Sequence, residues 1–305
     1  MTKLKTLFAT AALGLGLTGA LLSATPAAAE PALWMIRDAD STLYLFGTMH
    51  VARTDVVTGS KAISDALAAS QELWVEIDLP DDPAAVQAQI APLVLQLGLD
   101  PARPLSSKLS AEDNRRLKAA MTKLGQDPAM LEPMRPWLAG LTLSGLQYAA
   151  AGYDPNKGAD TLLSKAARQR KKPITALETV EQQMRFLAGM KPEEELQSFR
   201  ETLDNLEEGP KLIQGMEAEW SSGDAEGLWE LAGADFKREQ PAAYDALVLG
   251  RNRAWAERIE AELKKSGTDF VAVGALHLVG PDSVQALLAK KGIRAVRVNP
   301  APAQP

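Results

Sequence analysis

The chain has 305 residues, 46% hydrophobic, 24% charged and 5% aromatic, with no cysteine, two histidines and a formal net charge of −6. The absence of cysteine excludes a disulfide framework, a thiol nucleophile, a cysteine-based zinc finger and a cysteine-anchored lipid. Two histidines exclude a three-histidine metal site within one chain, so the chemistry falls to carboxylates, hydroxyls, Arg, Lys and at most two imidazoles, in a chain apolar enough to bury a sizeable core.

Lys3 and Lys5 open the chain, an apolar Gly/Ala-rich run covers 7–22, and small residues lead to Ala27-Ala28-Ala29. This order predicts a cleavable secretory signal peptide over 1–29. The run is short for a bilayer span of about 20 residues. No other stretch approaches that length, so no stable membrane insertion is expected after cleavage. Without the leader, 31 basic side chains face 39 acidic ones, a net charge of −8. That balance argues against nucleic acid as a partner and against an anionic membrane surface. A cysteine-free chain suits an oxidising compartment, and the leader points to a bacterial periplasmic or secreted protein.

Residues 33–37 and 42–46 read as strands around an Asp38-Ala39-Asp40-Ser41 turn, hence a hairpin. Gly47-Thr48-Met49-His50 follows at once. Residues 60–70 carry Ile63, Ala66 and Leu67 at helical spacing behind a Ser60 cap. Residues 72–78 read as a third strand, ended by Pro80. The middle is helical, with segments at 84–97, 111–124, 137–150, 159–170, 193–206 and 210–221 punctuated by Pro and Gly, and one short strand at 172–177. A long helix is predicted over 244–265 and a buried strand over 269–273, running into Gly274-Ala275-Leu276-His277. A helix over 281–290, a last strand over 293–298 and a disordered tail over 300–305 complete the chain. Strands near both ends with helices between them predict one α/β domain over 30–299. Its β-sheet core is built from N- and C-terminal strands, with a large helical middle insertion.

The two histidines occupy the same frame, a hydrophobic strand followed by Gly-x-x-His, although they lie 227 positions apart. Side chains just past the carboxyl ends of strands in α/β sheets line the ligand crevice, so two such imidazoles can converge on one point. Glu76 lies among the alternating Leu73, Val75 and Ile77, on the face shared with Trp74 and Asp78. A carboxylate there calls for a partner. Arg251, Asn252 and Trp255 belong to one helical turn, where Arg251 is suited to clamp a carboxylate or stabilise an oxyanion. The alternative is a solvated helix with pairs such as Arg253–Glu257. His50, Glu76 and His277 together are a ligand set used by catalytic zinc, in which the metal activates water. Without a metal, a histidine can serve as general base on water, oriented by Glu76. Residues alone leave these two options open.

These motifs in order, Gly47-Thr48-Met49-His50, Val75-Glu76-Ile77-Asp78, Arg251-Asn252-x-x-Trp255-Ala256 and Gly274-Ala275-Leu276-His277, resemble the TraB/PrgY/GumN family, with the Tiki proteases as animal relatives. Gly158-Ala159-Asp160 and Lys172-Pro173-Ile174 with Leu177-Glu178-Thr179 also look like the family, and the resemblance spans nearly the whole chain after the leader. It implies a fold similar to the erythromycin esterase and haem-binding ChaN proteins. It implies a divalent metal ion (Mn, Co or Zn) held by His50, Glu76 and His277, with Arg251 and Asn252 in support. Gly250 stands where the TraB branch tends to have Glu, which points to the bacterial GumN-like branch. The expectation is a periplasmic or secreted metal-dependent hydrolase acting on a peptide or small-molecule substrate. There, Glu76 or Asp78 takes the proton while Arg251 and Asn252 stabilise the oxyanion. The rival readings are a metal-independent esterase-like hydrolase, or a non-catalytic protein binding haem, a metal or a polysaccharide. For the last, Trp137, Trp220, Trp229 and Trp255 would supply a platform.

Overall fold

A computed structural model describes residues 30–55, 59–206 and 208–298; the expected leader and tail lie outside the described residues. Six strands, β1 (Leu33–Arg37), β2 (Ser41–Thr48), β3 (Glu72–Val75), β4 (Ile174–Ala176), β5 (Gly267–Gly274) and β6 (Val296–Arg297), form one sheet in the order β4-β3-β5-β2-β1-β6. β1 and β2 make the expected antiparallel hairpin, Leu33 opposite Phe46. β2 pairs in parallel with β5 from Ser41 opposite Gly267 to Thr48 opposite Gly274. β3 lies in parallel on the other side of β5, and β4 beyond it. The carboxyl ends of β2, β3, β4 and β5 therefore emerge along one edge of the sheet.

Strand alternation divides the core in two. Phe46, Leu73, Val75, Phe270 and Ala272 face one side, covered by Ile63 and Leu67 of the helix Lys61–Ala69 and by Leu163 of the helix Ala159–Gln169. Leu43, Leu45, Trp74, Val271 and Val273 face the other, covered by Trp255, Ile259 and Leu263 of the helix Gly250–Leu263 and by Leu288 of Val284–Ala289. This is an α/β fold with both sheet faces covered, as parallel sheets require. The helical middle carries a separate apolar cluster, where Leu117 and Met121 meet Leu143, Phe199 and Leu203.

Several expected boundaries move. The third strand stops at Val75 rather than running to residue 78. The long helix begins with a π-helical turn, Asp245–Leu249, before Gly250–Leu263. The last strand shrinks to Val296–Arg297. A helix at Val180–Ala188 is added; Thr179 and Gln182 cap it reciprocally, side chain to backbone in each direction, a Thr-x-x-Gln signature readable in sequence. Arg253 pairs with Asp245 at 3.7 Å, not with Glu257.

The β2 and β5 ends approach closely. A Cβ on Gly47 would stand 2.9 Å from the Cα of Ala275, and the Trp220 indole N–H donates to the Gly47 carbonyl at 2.7 Å. Glycine is needed here because backbone, which cannot swing aside, is the obstacle. Gly47→Val should lower the unfolding free energy by about 1–3 kcal/mol, the range for overpacking, as read by urea denaturation. Unchanged stability would contradict the close approach.

Candidate functional site

The strand ends deliver both histidines and Glu76 to one place. His50 follows β2, Glu76 is the first residue after β3, and His277 lies in the 3-10 turn Ala275–Leu278 after β5. Around the point where a Gly274 Cβ would sit, Glu76 Oε1 is 3.0 Å away, His277 Cδ2 3.5 Å and His50 Nε2 3.9 Å. Glycine at 274 leaves room for this convergence.

At the centre stands Arg251. Its side chain is 10% exposed, and Glu76 and Glu178 beside it are 9% and 8% exposed. All five guanidinium N–H groups are committed. Nε and Nη2 donate to Glu178, each at 2.9 Å, and Nη2 also donates to Glu76 Oε2. Nη1 donates to the Leu247 carbonyl at 3.1 Å and meets His277 Nε2 at 3.2 Å. The Trp255 ring covers the cation, with Cζ 4.6 Å from its centroid, a favourable cation–π placement. Glu76 is equally saturated: Oε1 accepts the Gly274 N–H at 2.6 Å and Oε2 accepts Gln183 Nε2 at 3.0 Å. Burial works against its charge, but His277 (once protonated in acid), Arg251, His50 and the Gly274 N–H outweigh burial and hold its pKa down to about 2.

The tautomer of His277 follows from Asn252. The Asn252 amide Nδ2 donates to the Asp282 carbonyl at 2.8 Å, which turns Oδ1 toward His277 Nδ1 at 2.6 Å. Nδ1 therefore carries the proton, and Nε2 offers its lone pair to Arg251. Burial pushes the His277 pKa down to about 3, with Arg251 and His50 adding to the effect against Glu76. The ring is a buried neutral imidazole.

His50 is different in kind. Its side chain is 64% exposed, and it stands in a cleft of about 540 Å³ shared with Glu76, Asp160 and Lys165. Nδ1 meets Asp160 Oδ2 at 3.0 Å, which leaves Nε2 toward the site. That hydrogen bond, ahead of the opposing desolvation and the charges of Asp160 and Glu76, pushes the His50 pKa up to about 9. The segment is clamped: the Ala159 N–H donates to Met49 O at 2.8 Å, and Ala52 and Asp154 exchange backbone hydrogen bonds. A Cβ on Gly158 would lie 2.2 Å from the His50 carbonyl oxygen, so only glycine lets the Asp160 helix reach this histidine.

This geometry revises the expected roles. Arg251 has no free N–H for an oxyanion, and Asn252, fully buried, is spent on His277 and Asp282; both are positioning residues. Glu76 is too acidic and too fully bonded to take a proton. Asp78 is drawn off by Arg168, which also binds Asp81 at 2.6 Å. The His50, Glu76 and His277 set does not fit a divalent ion as arranged. The His277 lone pair points at an Arg251 N–H, both Glu76 oxygens are engaged, and a guanidinium already neutralises the carboxylates. Among the described residues, no group of three or more His, Asp or Glu side chains is arranged to hold a metal. Of the four tryptophans expected to supply a platform, Trp137, Trp220 and Trp255 are buried in the core and Trp229 is partly buried against it. Asp160 and Glu178 entered the sequence reading only through the family-like stretches, and Gln183 not at all. A carboxylate two residues past the isolated short strand β4 was the available signal for Glu178.

Removing one member of a buried ion cluster strands the others, at a cost of about 3–5 kcal/mol. Arg251→Leu should destabilise by that amount in urea denaturation; a loss below 1 kcal/mol would contradict the buried cluster. The buried groups also fix an acid limb. His277, lowered from 6.5 to about 3, and Glu76, lowered from 4.5 to about 2, both bind protons more readily when unfolded. Their stabilisation is complete above about pH 6.5 and is lost as pH falls, His277 first, at about 1.4 kcal/mol per pH unit for one proton. His277→Gln should reduce the slope of stability against pH between pH 6 and 4. His50, being largely exposed, contributes little to either limb.

The TraB/PrgY/gumN family model matches residues 32–297. An uncharacterised protein of Escherichia coli K12, YbaP, is 25% identical over 260 residues, covering 85% of this chain and 92% of its own. YbaP of Shigella flexneri is 26% identical over 247 residues, covering 80% and 87%. An uncharacterised protein of Treponema pallidum is 24% identical over 280 residues, covering 86% and 81%. No solved structure matches. With all six strands of the sheet inside the matched region, the chain belongs to the TraB/PrgY/gumN family.

Proposed function

We propose that the protein is a periplasmic or secreted hydrolase of peptide or ester bonds, in which the His50–Asp160 pair activates water without a resident metal ion. The observation that carries this reading is the contrast between the two imidazoles. His277 is buried with both ring nitrogens engaged, while His50 presents Nε2 to an open cleft with Nδ1 fixed by a carboxylate. A general base oriented by a third group is the arrangement that nucleophile activation uses. The cleft also lies where α/β sheets bind ligands, at the carboxyl ends of the parallel strands. The leader-like segment over 1–29 supports export.

In this mechanism neutral His50 Nε2 accepts a proton from water as the water oxygen bonds to the substrate carbonyl carbon. Asp160 keeps the Nδ1–H aligned and stabilises the imidazolium. When the tetrahedral intermediate collapses, Nε2–H returns the proton to the leaving nitrogen or oxygen, and the acyl product departs as the acid. Glu76 places a fixed negative charge near the ring and, with Asp160, raises its basicity.

Hydrolysis of fluorogenic peptides and p-nitrophenyl esters tests the proposal. His50→Ala and Asp160→Asn should each lower kcat/KM by about 10²–10⁴-fold, the usual weight of general-base catalysis, with the circular dichroism spectrum unchanged. Because the base form of His50 is the active one, kcat/KM should rise with pH and level off above about 9. Asp160→Asn should move that inflection to lower pH. EDTA should leave the rate unchanged; loss of activity in EDTA with recovery on adding Mn²⁺ or Co²⁺ would overturn the metal-free mechanism, and hydrolysis insensitive to His50→Ala would overturn the assignment altogether.

A further inference from the structure

The cleft beside His50 is lined by both polar and apolar side chains. Residues 161, 164, 165 and 168 of the helix Ala159–Gln169 follow i, i+3, i+4, i+7 spacing and line one wall. Leu79 and Val86 contribute apolar side chains to the same cleft. The cations on the helical wall are not equivalent. Arg168 is consumed by Asp78, Asp81 and the Leu79 carbonyl. The Lys165 side chain makes no hydrogen bond or ion pair among the described residues. Asp154, on which its charge has a small lowering influence, is taken up by the backbone N–H and amide of Asn156. A lysine that lines a cleft with no acid holding it leaves its ammonium free to bind a ligand anion. Lys165 also lies five residues past Asp160 on the same helix, about 7–8 Å along the axis at 1.5 Å per residue. The Asp160 carboxylate that orients His50 and the Lys165 side chain are therefore carried by one rigid element.

We propose that Lys165 is the carboxylate subsite of this cleft. The substrate carries a carboxylate on one side of the bond presented to His50, within the same cleft, with an apolar stretch against Leu79 and Val86. The carboxylate belongs either to a peptide chain terminus or to an acidic side chain. The orientation toward His50 rests on the hydrolase reading; the anion subsite does not.

The test separates the two. Binding is measured by isothermal titration calorimetry in the His50→Ala background, which prevents turnover and removes the imidazolium from the cleft. The probes are N-acetyl-tetra-alanine with a free carboxylate, its C-terminal amide, and the amide of the same peptide with glutamate at its second position. The free acid should bind about ten-fold more tightly than the amide, the weight of one charge-assisted hydrogen bond. Lys165→Ala should abolish that difference, and Lys165→Arg should retain most of it. If the glutamyl amide matches the free acid, the recognised group is a side chain; if only the free acid binds tightly, it is a chain terminus. Equal affinity for acid and both amides, no effect of Lys165→Ala, or no binding of any probe at millimolar concentration would overturn the subsite. Charge-dependent binding through Lys165 in a protein that hydrolyses nothing would refute the hydrolase and leave the subsite standing.

Discussion

One buried guanidinium organises this end of the molecule. Arg251 reaches from its helix to carboxylates that follow β3 and β4 and to the imidazole that follows β5, and it uses every N–H it has. Charges removed from water are tolerated only when they are paired and fully hydrogen-bonded, and this cluster meets both conditions. The two carboxylates and the cation hold each other in place across three strand ends. Trp255, buried with its ring against the cation and tilted against the His277 ring, closes the cluster from behind. Without Arg251, Glu76 and Glu178 would be unpaired buried anions at neighbouring positions past adjacent strands, and His277 would lose the donor to its Nε2.

The same cluster sorts the polar residues into a closed half and an open half. Arg251, Glu76, Glu178, Asn252 and His277 form the closed half, with their hydrogen-bonding capacity spent on one another. His50 and Asp160 form the open half, supported by a loop whose backbone is pinned to residues 154 and 159 and whose carbonyl accepts no side chain at 158. The closed half is a rigid electrostatic floor, and the open half is exposed to the 540 Å³ cleft. Preorganisation of this kind is what a water-activating site requires, and it explains why identical Gly-x-x-His frames yield an acidic, buried imidazole in one case and a basic, accessible one in the other.

Much of the fold was legible in the sequence. The hairpin, the β5 strand, the Ser60-capped helix and most middle helices follow from hydrophobic period and caps, because those elements are set by local patterning. Convergence of His50, Glu76 and His277 was legible too, since scarcity made both histidines informative. Their division of labour was not. Nothing local marks Asn252 as the residue that chooses the His277 tautomer, because the contact spans 25 positions. Glu76 read as a mid-strand carboxylate, but the strand ends one residue earlier and lets its side chain turn into the cluster. The π-helical turn before Arg251 offers the Leu247 carbonyl to the guanidinium, a detail that helical periodicity cannot reveal.

With only two histidines in the chain, ¹⁵N-histidine NMR across pH reads the central claim directly. If Arg251 is the resident cation of the site, His277 must be neutral, protonated on Nδ1, and must stay so from pH 8 down to below pH 5, while His50 carries two ring protons at pH 7 and loses one only as pH approaches about 9. Two histidines titrating together near pH 6.5, or a proton on His277 Nε2, would contradict the account, because Arg251 would then face no lone pair and the buried cluster would not exist as described.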